Sequence, residues 1–312
     1  MSVVAVAGGT GGVGKTIVET LLEQATFQVI VLTRTIVDAD PVLDKTNQIQ
    51  VNYNDLDFLV RVLEEQRIQT IISAIGIYDD ATSQSQMNLI QAAEYSKQTQ
   101  RFIPSEYSFI QTEELLSTDP SIQYFLDAAD MLHKSSLKYT RVIPGFFMDY
   151  WGMPSVRTNL QPLTFGIDLV SCQAAIPGDG NDLIGMTYSY DMAKFIVQLL
   201  ALEAWPEFSI FVGDDITYNQ LLALAEQVRG KKFSVSYDSV EDVLDGKVTV
   251  PPMPPSVPYS EEEVREMTAL VSRLTVRGAF NLPVQERLNC KFPDVHPVNI
   301  KDFLQGAWKS QQ

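Results

Sequence analysis

Cysteine and histidine are both scarce, with two of each in 312 residues. Cys172 and Cys290 are too few for a disulfide scaffold and point to a reducing compartment. With His133 and His296 they form no cluster of metal-ligand spacing, so no metal is expected. Long hydrophobic runs are also missing: none reaches ~18 residues, and no basic segment precedes an apolar one at the start. Neither a membrane span nor a signal peptide is expected, and the predicted location is cytoplasmic. Positive charge is in short supply, 23 basic against 39 acidic residues for a net charge of −16. That balance disfavours electrostatic capture by nucleic acid or an anionic membrane. An anionic ligand would need a local positive pocket. No G-x-S-x-G element is present, so nothing supports a serine-nucleophile hydrolase.

The chain does have enough apolar residues for a core, 45% of the total. Its length suggests about two domain-sized units, which need no disulfide or metal staple. The first half alternates apolar runs with amphipathic stretches, as successive βαβ units do. Strands are expected at Val3–Ala7, Gln28–Thr33, Ile49–Val51, Thr70–Ala74, Arg101–Pro104 and Tyr139–Ile143. Helices are expected from Val13, at about Leu56–Glu65, at Gln84–Ser96 and at Ser121–Ser136. The predicted class is α/β, a Rossmann doubly wound parallel sheet with a smaller α+β substrate domain. We place the sheet domain at 1–150 and the substrate domain at 151–312, interleaved with the end of the sheet and closing over its carboxyl edge. Thr217 with Gln220 and Ser260 with Glu263 have capping-box spacing and predict two helix starts. The prolines from Pro251 to Pro258 read as a rigid loop.

Five glycines fall between Gly8 and Gly14, and the loop satisfies two motifs at once. Gly9 to Thr16 fits G-x-x-x-x-G-K-[ST], the P-loop. Gly9, Gly11 and Gly14 fit G-x-G-x-x-G, and Gly8, Gly11 and Gly14 give the related G-x-x-G-x-x-G. Either loop would set backbone N–H groups and a helix N-terminus against phosphate oxygens. A P-loop enzyme needs a second strand ending in an acid that holds Mg²⁺. The later strands here end Thr33-Arg34, Ser73-Ala74 and Ile103-Pro104. A dinucleotide site instead needs a discriminating residue about 20 positions past the loop, and Arg34 stands 20 after Gly14. An arginine there can pair with the 2′-phosphate of NADP(H), with Lys45 as a second phosphate contact.

Several segments together resemble the NmrA-like and isoflavone-reductase-like family of atypical short-chain dehydrogenases, of a fungal biosynthetic type. They are Val6–Gly14, Leu32-Thr33-Arg34, Ile71–Gly76, Gln86–Ala93, the R-F-x-P-S-E-[FY] element at Arg101–Tyr107, Leu137–Thr140 with Pro144–Phe147, Gly213–Thr217 and Arg229–Phe233. The likeness runs through nearly the whole chain. It implies NADP(H) across the carboxyl edge of the sheet. Gly11, Gly12, Val13 and Gly14 would approach the pyrophosphate, Arg34 the 2′-phosphate, and Ala74, Ile75 and Gly76 the adenosine, with Gly8, Thr10 and Thr35 as further cofactor contacts. Ser105, Glu106, Pro144, Gly145 and Phe146 would surround the nicotinamide.

Reductases of this family carry a lysine about ten residues before the segment matching Leu137–Thr140. That place falls near Phe125-Leu126-Asp127, and no lysine is there. Asp127, if desolvated, and Tyr107 are the substitute acid–base candidates. Tyr190 and Lys194 form a Y-x-x-x-K pair, but after the sixth strand, where the ordinary short-chain pattern does not place it. The run Phe146, Phe147, Met148, Tyr150, Trp151, Met153 follows the sixth strand and is either interdomain core or the lining of a pocket. As a lining, its substrate-facing residues would be Phe147, Met148, Tyr150, Trp151 and Met153.

The expected activity is NADP(H)-dependent hydride transfer to a C=N, C=C or C=O bond of a bulky apolar or aromatic small molecule. A missing proton donor suits an iminium in secondary metabolism. A cofactor-dependent cyclase of the same fold and a non-catalytic NADP(H) redox sensor are the alternatives. No nucleic-acid or membrane partner is expected, and the sequence does not specify an oligomeric state.

Overall fold

The computed structural model describes residues 1–309, which divide into two compact units. Unit 1 comprises Met1–Tyr107, Gln111–Ile143 and Met192–Ser209. Unit 2 comprises Ser108–Ile110, Pro144–Asp191 and the chain from Ile210 onward.

Unit 1 is built on six strands: β1 (Ser2–Ala7), β2 (Phe27–Thr33), β3 (Asn47–Gln50), β4 (Thr70–Ser73), β5 (Arg101–Ile103) and β6 (Lys138–Tyr139). All pairings are parallel, in the order β3-β2-β1-β4-β5-β6. This is the dinucleotide-binding order, in which the winding reverses between β1 and β4. The central strands are buried from Val3 to Ala7, Val29 to Thr33 and Thr70 to Ser73. They can be apolar throughout because helices cover both faces of a parallel sheet.

Those helices are α1 (Gly12–Gln24), α2 (Leu56–Glu65), α3 (Asp80–Tyr95) and α4 (Ile122–Lys134). Each turns one apolar stripe inward: Ile17, Val18 and Leu21 on α1, Leu59, Val62 and Leu63 on α2, Leu89 and Ile90 on α3, Ala128 and Leu132 on α4. On one face Ala5, Ile30, Leu32, Leu59, Leu63, Ile71, Leu89, Phe102 and Leu132 form a single cluster.

The run expected as one strand over Tyr139–Ile143 is two. Thr140 separates β6 from β7 (Arg141–Ile143), which leaves the large sheet and pairs with the strand that begins at Phe208. The Arg141 N–H donates to the Glu207 carbonyl (2.7 Å), and the Thr140 and Ser209 hydroxyls share a hydrogen bond of 2.7 Å.

Unit 2 holds two three-stranded sheets. One orders Asp214–Thr217, Leu183–Thr187 and Phe146–Phe147; the other orders Ser234–Asp238, Gln173–Pro177 and Ile167–Asp168. Both expected capping boxes form, Thr217 with Gln220 opening Tyr218–Arg229 and Ser260 with Glu263 opening Glu261–Val276. Among the described residues no helix is long and apolar enough to cross a membrane.

Candidate cofactor site

Two glycines, Gly8 after β1 and Gly14 in the first turn of α1, meet steric demands that no other residue satisfies. Gly8 lies at φ +74°, and a Cβ on it would stand 2.5 Å from the Ala74 carbonyl oxygen. A Cβ on Gly14 would stand 2.2 Å from the Gly8 carbonyl oxygen, so the first turn of α1 rests directly on the loop. The Gly11 N–H turns back onto Gly8 (3.0 Å), and Lys15 makes the first helical bond, to Gly11. Gly12, Val13 and Gly14 are thereby left with N–H groups that have no helical partner, and no side chain caps the helix. This terminus is arranged to receive an anion.

Lys15 bears on the choice between the two motifs. In a P-loop its ammonium would reach for phosphate; here it is bound to Asp40 Oδ2 at 2.6 Å. The Lys15 hydrogen bond holds the Asp40 carboxyl below its usual range, helped by the N–H groups of Leu43 and Val42. Arg34, at the carboxyl end of β2, is exposed and pairs with no carboxylate among the described residues.

Both features border one cleft of about 390 Å³, lined by Gly8, Thr10, Gly11, Thr33, Arg34, Thr35, Ala74, Ile75 and Gly76 and closed by Tyr53, Tyr78, Thr82 and Ser85. The cleft brings Gly8, Thr10 and Gly11 together with Arg34, Thr35, Ala74, Ile75 and Gly76, while Gly12, Val13 and Gly14 are not among its lining residues. Tyr53, Tyr78, Thr82 and Ser85 went unread in the sequence. Tyr53 follows the carboxyl end of β3, where cleft residues are expected in this fold. Its hydroxyl donates to the Leu32 carbonyl (3.1 Å), and burial raises the phenol above its ordinary range. Thr82 was missed because α3 begins four residues before the expected Gln84, at a capping box of Asp79 with Thr82. Lys45 ends the short turn Leu43–Lys45, is exposed and does not line the cleft.

The segment after β5 is firmly held. Ser105 is half-buried, and its N–H donates to Gln86 Oε1 at 2.8 Å. Glu106 turns inward instead of toward a ligand: both oxygens are held at 2.6 Å by Arg141, and the pair is almost wholly buried. The Arg141 guanidinium also stacks on the Phe208 ring at 4.6 Å. The Tyr107 hydroxyl donates to the Ser73 carbonyl (2.7 Å), and burial pushes its phenol well above the usual range. A phenol so held keeps its proton. Asp127 stands apart from all of these. It is exposed on α4, accepts a hydrogen bond from Gln123 (2.7 Å), and borders a groove with Met87, Ile90 and Tyr95 of α3.

In unit 2, Gly145 sits at φ +74° with Gly185 against it, and the Pro144 carbonyl accepts from Thr187 at 2.6 Å. The aromatic run after β7 is mostly core. Phe147, Met148 and Trp151 are buried, the Trp151 indole donates to Phe165, and its carbonyl accepts from Trp308. Tyr150 and Met153 are half-buried. Tyr150, Phe146 and Phe165 form an edge-to-face cluster with centroids 4.9–5.9 Å apart, and Phe146 extends it to Phe280. Tyr190 is buried with its hydroxyl accepting from Asn159 (3.1 Å).

The model of the NmrA-like family matches residues 1–281. The chain belongs to the NmrA-like family. A relative from Metarhizium robertsii, named oxidoreductase swnN, is 33% identical over all of this chain and 99% of its own length. Oxidoreductase BOA1 of Botryotinia fuckeliana is 34% identical over 74% of this chain and 77% of its own. The solved complex of leucoanthocyanidin reductase with NADPH from Vitis vinifera is similar in fold, with a TM-score of 0.75 at 16% identity over 97% of this chain and 98% of that one. Helix α4 of this NmrA-like chain carries its only lysine at Lys134, which pairs with Asp130 one turn earlier.

Proposed function

We propose that this NmrA-like protein is an NADP(H)-dependent oxidoreductase acting on a bulky, apolar or aromatic small molecule. One observation carries the cofactor reading: an unpaired guanidinium, Arg34, shares a cleft with an uncapped, glycine-lined helix N-terminus while Lys15 is bound to Asp40. The residues present fit the group. The N–H groups of Gly12, Val13 and Gly14 suit a pyrophosphate, Arg34 a 2′-phosphate, and Ala74, Ile75 and Gly76 the adenosine wall. When bound, NADPH supplies a hydride. The names of the fungal relatives support the reaction class.

The protein's own contribution is binding, orientation and shielding from water. Of the two acids read from the sequence, Tyr107 is committed to Ser73 and Asp127 faces solvent. This supports an acceptor that takes hydride without a general acid, such as an iminium or a highly conjugated bond. The edge-to-face cluster of Phe146, Tyr150 and Phe165 supports an aromatic substrate, with half-buried Tyr150 and Met153 as its contacts.

Calorimetric titration with NADPH, NADH and ATP·Mg²⁺ tests the reading. We expect NADPH to bind well above NADH and ATP·Mg²⁺ not to bind. Binding of ATP·Mg²⁺ alone would restore the P-loop. Conjugated imines and enones are then screened by loss of NADPH absorbance at 340 nm. NADPH left unconsumed with every acceptor would favour a sensor over an enzyme.

A further inference from the structure

Three consecutive residues beyond β5 are fastened to three different parts of unit 1. Ser105 is held through its N–H by Gln86 of α3, Glu106 by Arg141 of β7, and Tyr107 by the Ser73 carbonyl at the end of β4. Connecting segments ordinarily keep more freedom than this. One group on the segment remains uncommitted: the Ser105 hydroxyl meets no partner among the described residues, and its side chain is half-buried.

Gln86 is the costly member of the set. It is 2% exposed and lies one turn from the core residues Leu89 and Ile90. A buried amide is unfavourable unless it is hydrogen-bonded. Its oxygen serves Ser105, while its nitrogen finds no acceptor among the described residues. Thr82, one turn earlier on the same face of α3, lines the cleft.

In this fold the two halves of the sheet each take one nucleotide of the dinucleotide. The glycine turn and Arg34 belong to the half made by β1–β3, and Ser105 to the half that begins with β4. The geometry points to Gln86 as a positioning residue for the second nucleotide. It holds Ser105 preformed, so that the serine hydroxyl and the free amide N–H of Gln86 meet the polar edge of the nicotinamide nucleoside. This inference rests on the NADP(H) reading above.

The test compares two ligands by titration: NADP⁺, and adenosine 2′,5′-bisphosphate, which lacks the nicotinamide nucleoside. Gln86→Leu is expected to weaken NADP⁺ roughly three- to tenfold and leave the bisphosphate unchanged, as loss of about one hydrogen bond implies. Gln86→Glu keeps an oxygen for the Ser105 N–H but loses the amide N–H, and is expected to weaken NADP⁺ less than Gln86→Leu does. Equal losses for both ligands, or no loss for either, overturn the inference while leaving the cofactor reading intact. A wild-type protein that binds neither ligand overturns the cofactor reading, and this inference with it. Should Gln86→Leu fail to fold, hydrogen exchange of the wild-type protein decides. The Ser105 amide is expected to be protected before NADP⁺ is added, and exchange as fast as an open loop overturns the inference.

Discussion

A guanidinium with no carboxylate beside it is a notable find in a chain with 39 acidic and 23 basic residues. Among the described residues Arg34 has no carboxylate partner, while Lys15, Arg141 and Arg287 are all paired. Arg34→Ala is expected to weaken NADPH by at least ~10-fold and leave NADH nearly unchanged, as loss of one charge-assisted contact requires. Titration with both cofactors checks this, and equal losses would reject Arg34 as the phosphate contact. Asp127 carries the opposite expectation. An exposed carboxylate bonded to Gln123 has little to give a reaction, so Asp127→Asn should leave turnover unchanged. A large fall in the steady-state rate would return it to the chemistry. At this scale the glycines and Arg34 could be read from the sequence, because each meets a local requirement of backbone or charge. The inward turn of Glu106 could not, because its partner Arg141 lies 35 residues away and nothing local announces the pairing.

At the scale of elements, two ties set the carboxyl edge of the unit 1 sheet. The first joins α1 to the chain after β2 through Lys15 and Asp40. The lowered Asp40 pKa means that the folded state favours the ionised carboxylate. Its contribution to stability is therefore fully present above the ordinary aspartate value of about 3.9 and lost as pH falls through the lowered one. The pair is partly exposed, so its worth is no more than ~1 kcal/mol. Thermal unfolding of the wild type and Lys15→Met should accordingly differ at pH 6, and the difference should shrink as the pH is taken below the ordinary aspartate value. The second tie is Glu106 with Arg141. Removing one partner of a buried pair strands the other, so Glu106→Gln is expected to cost ~3–5 kcal/mol in urea unfolding. A cost below ~1 kcal/mol would show that the guanidinium finds other partners. Element positions were largely legible: α2 falls where its period placed it, and both capping boxes of unit 2 form. The early start of α3 was missed because its box uses Asp and Thr in place of the Ser/Thr–Glu/Gln pattern. The break at Thr140 was missed because β7 has a partner strand more than 60 residues further along the chain.

For the whole molecule, the aromatic run after β7 illustrates a limit of reading sequence. The same residues suit a core and a pocket, and only packing shows that Met148 and Trp151 are core. The composition of unit 1 carries a further expectation. A fragment of residues 1–150 contains the entire parallel sheet but lacks Met192–Ser209, and with it the Glu207 carbonyl that takes the Arg141 N–H, the Ser209 partner of Thr140 and the Leu200 carbonyl that takes Arg101. Such a fragment is expected to lack a cooperative thermal transition, and a sharp one by circular dichroism would show the missing segment to be dispensable.

The same discontinuity bears on how the protein is made. Ribosomes deliver ~5–20 residues per second, and domains tend to fold as they emerge, N-terminal first. Unit 1 cannot follow that order to completion, because β7 waits for a strand that begins only at Phe208. For several seconds of synthesis β7 and the apolar segment after it are made but still lack the partner strand that completes the unit.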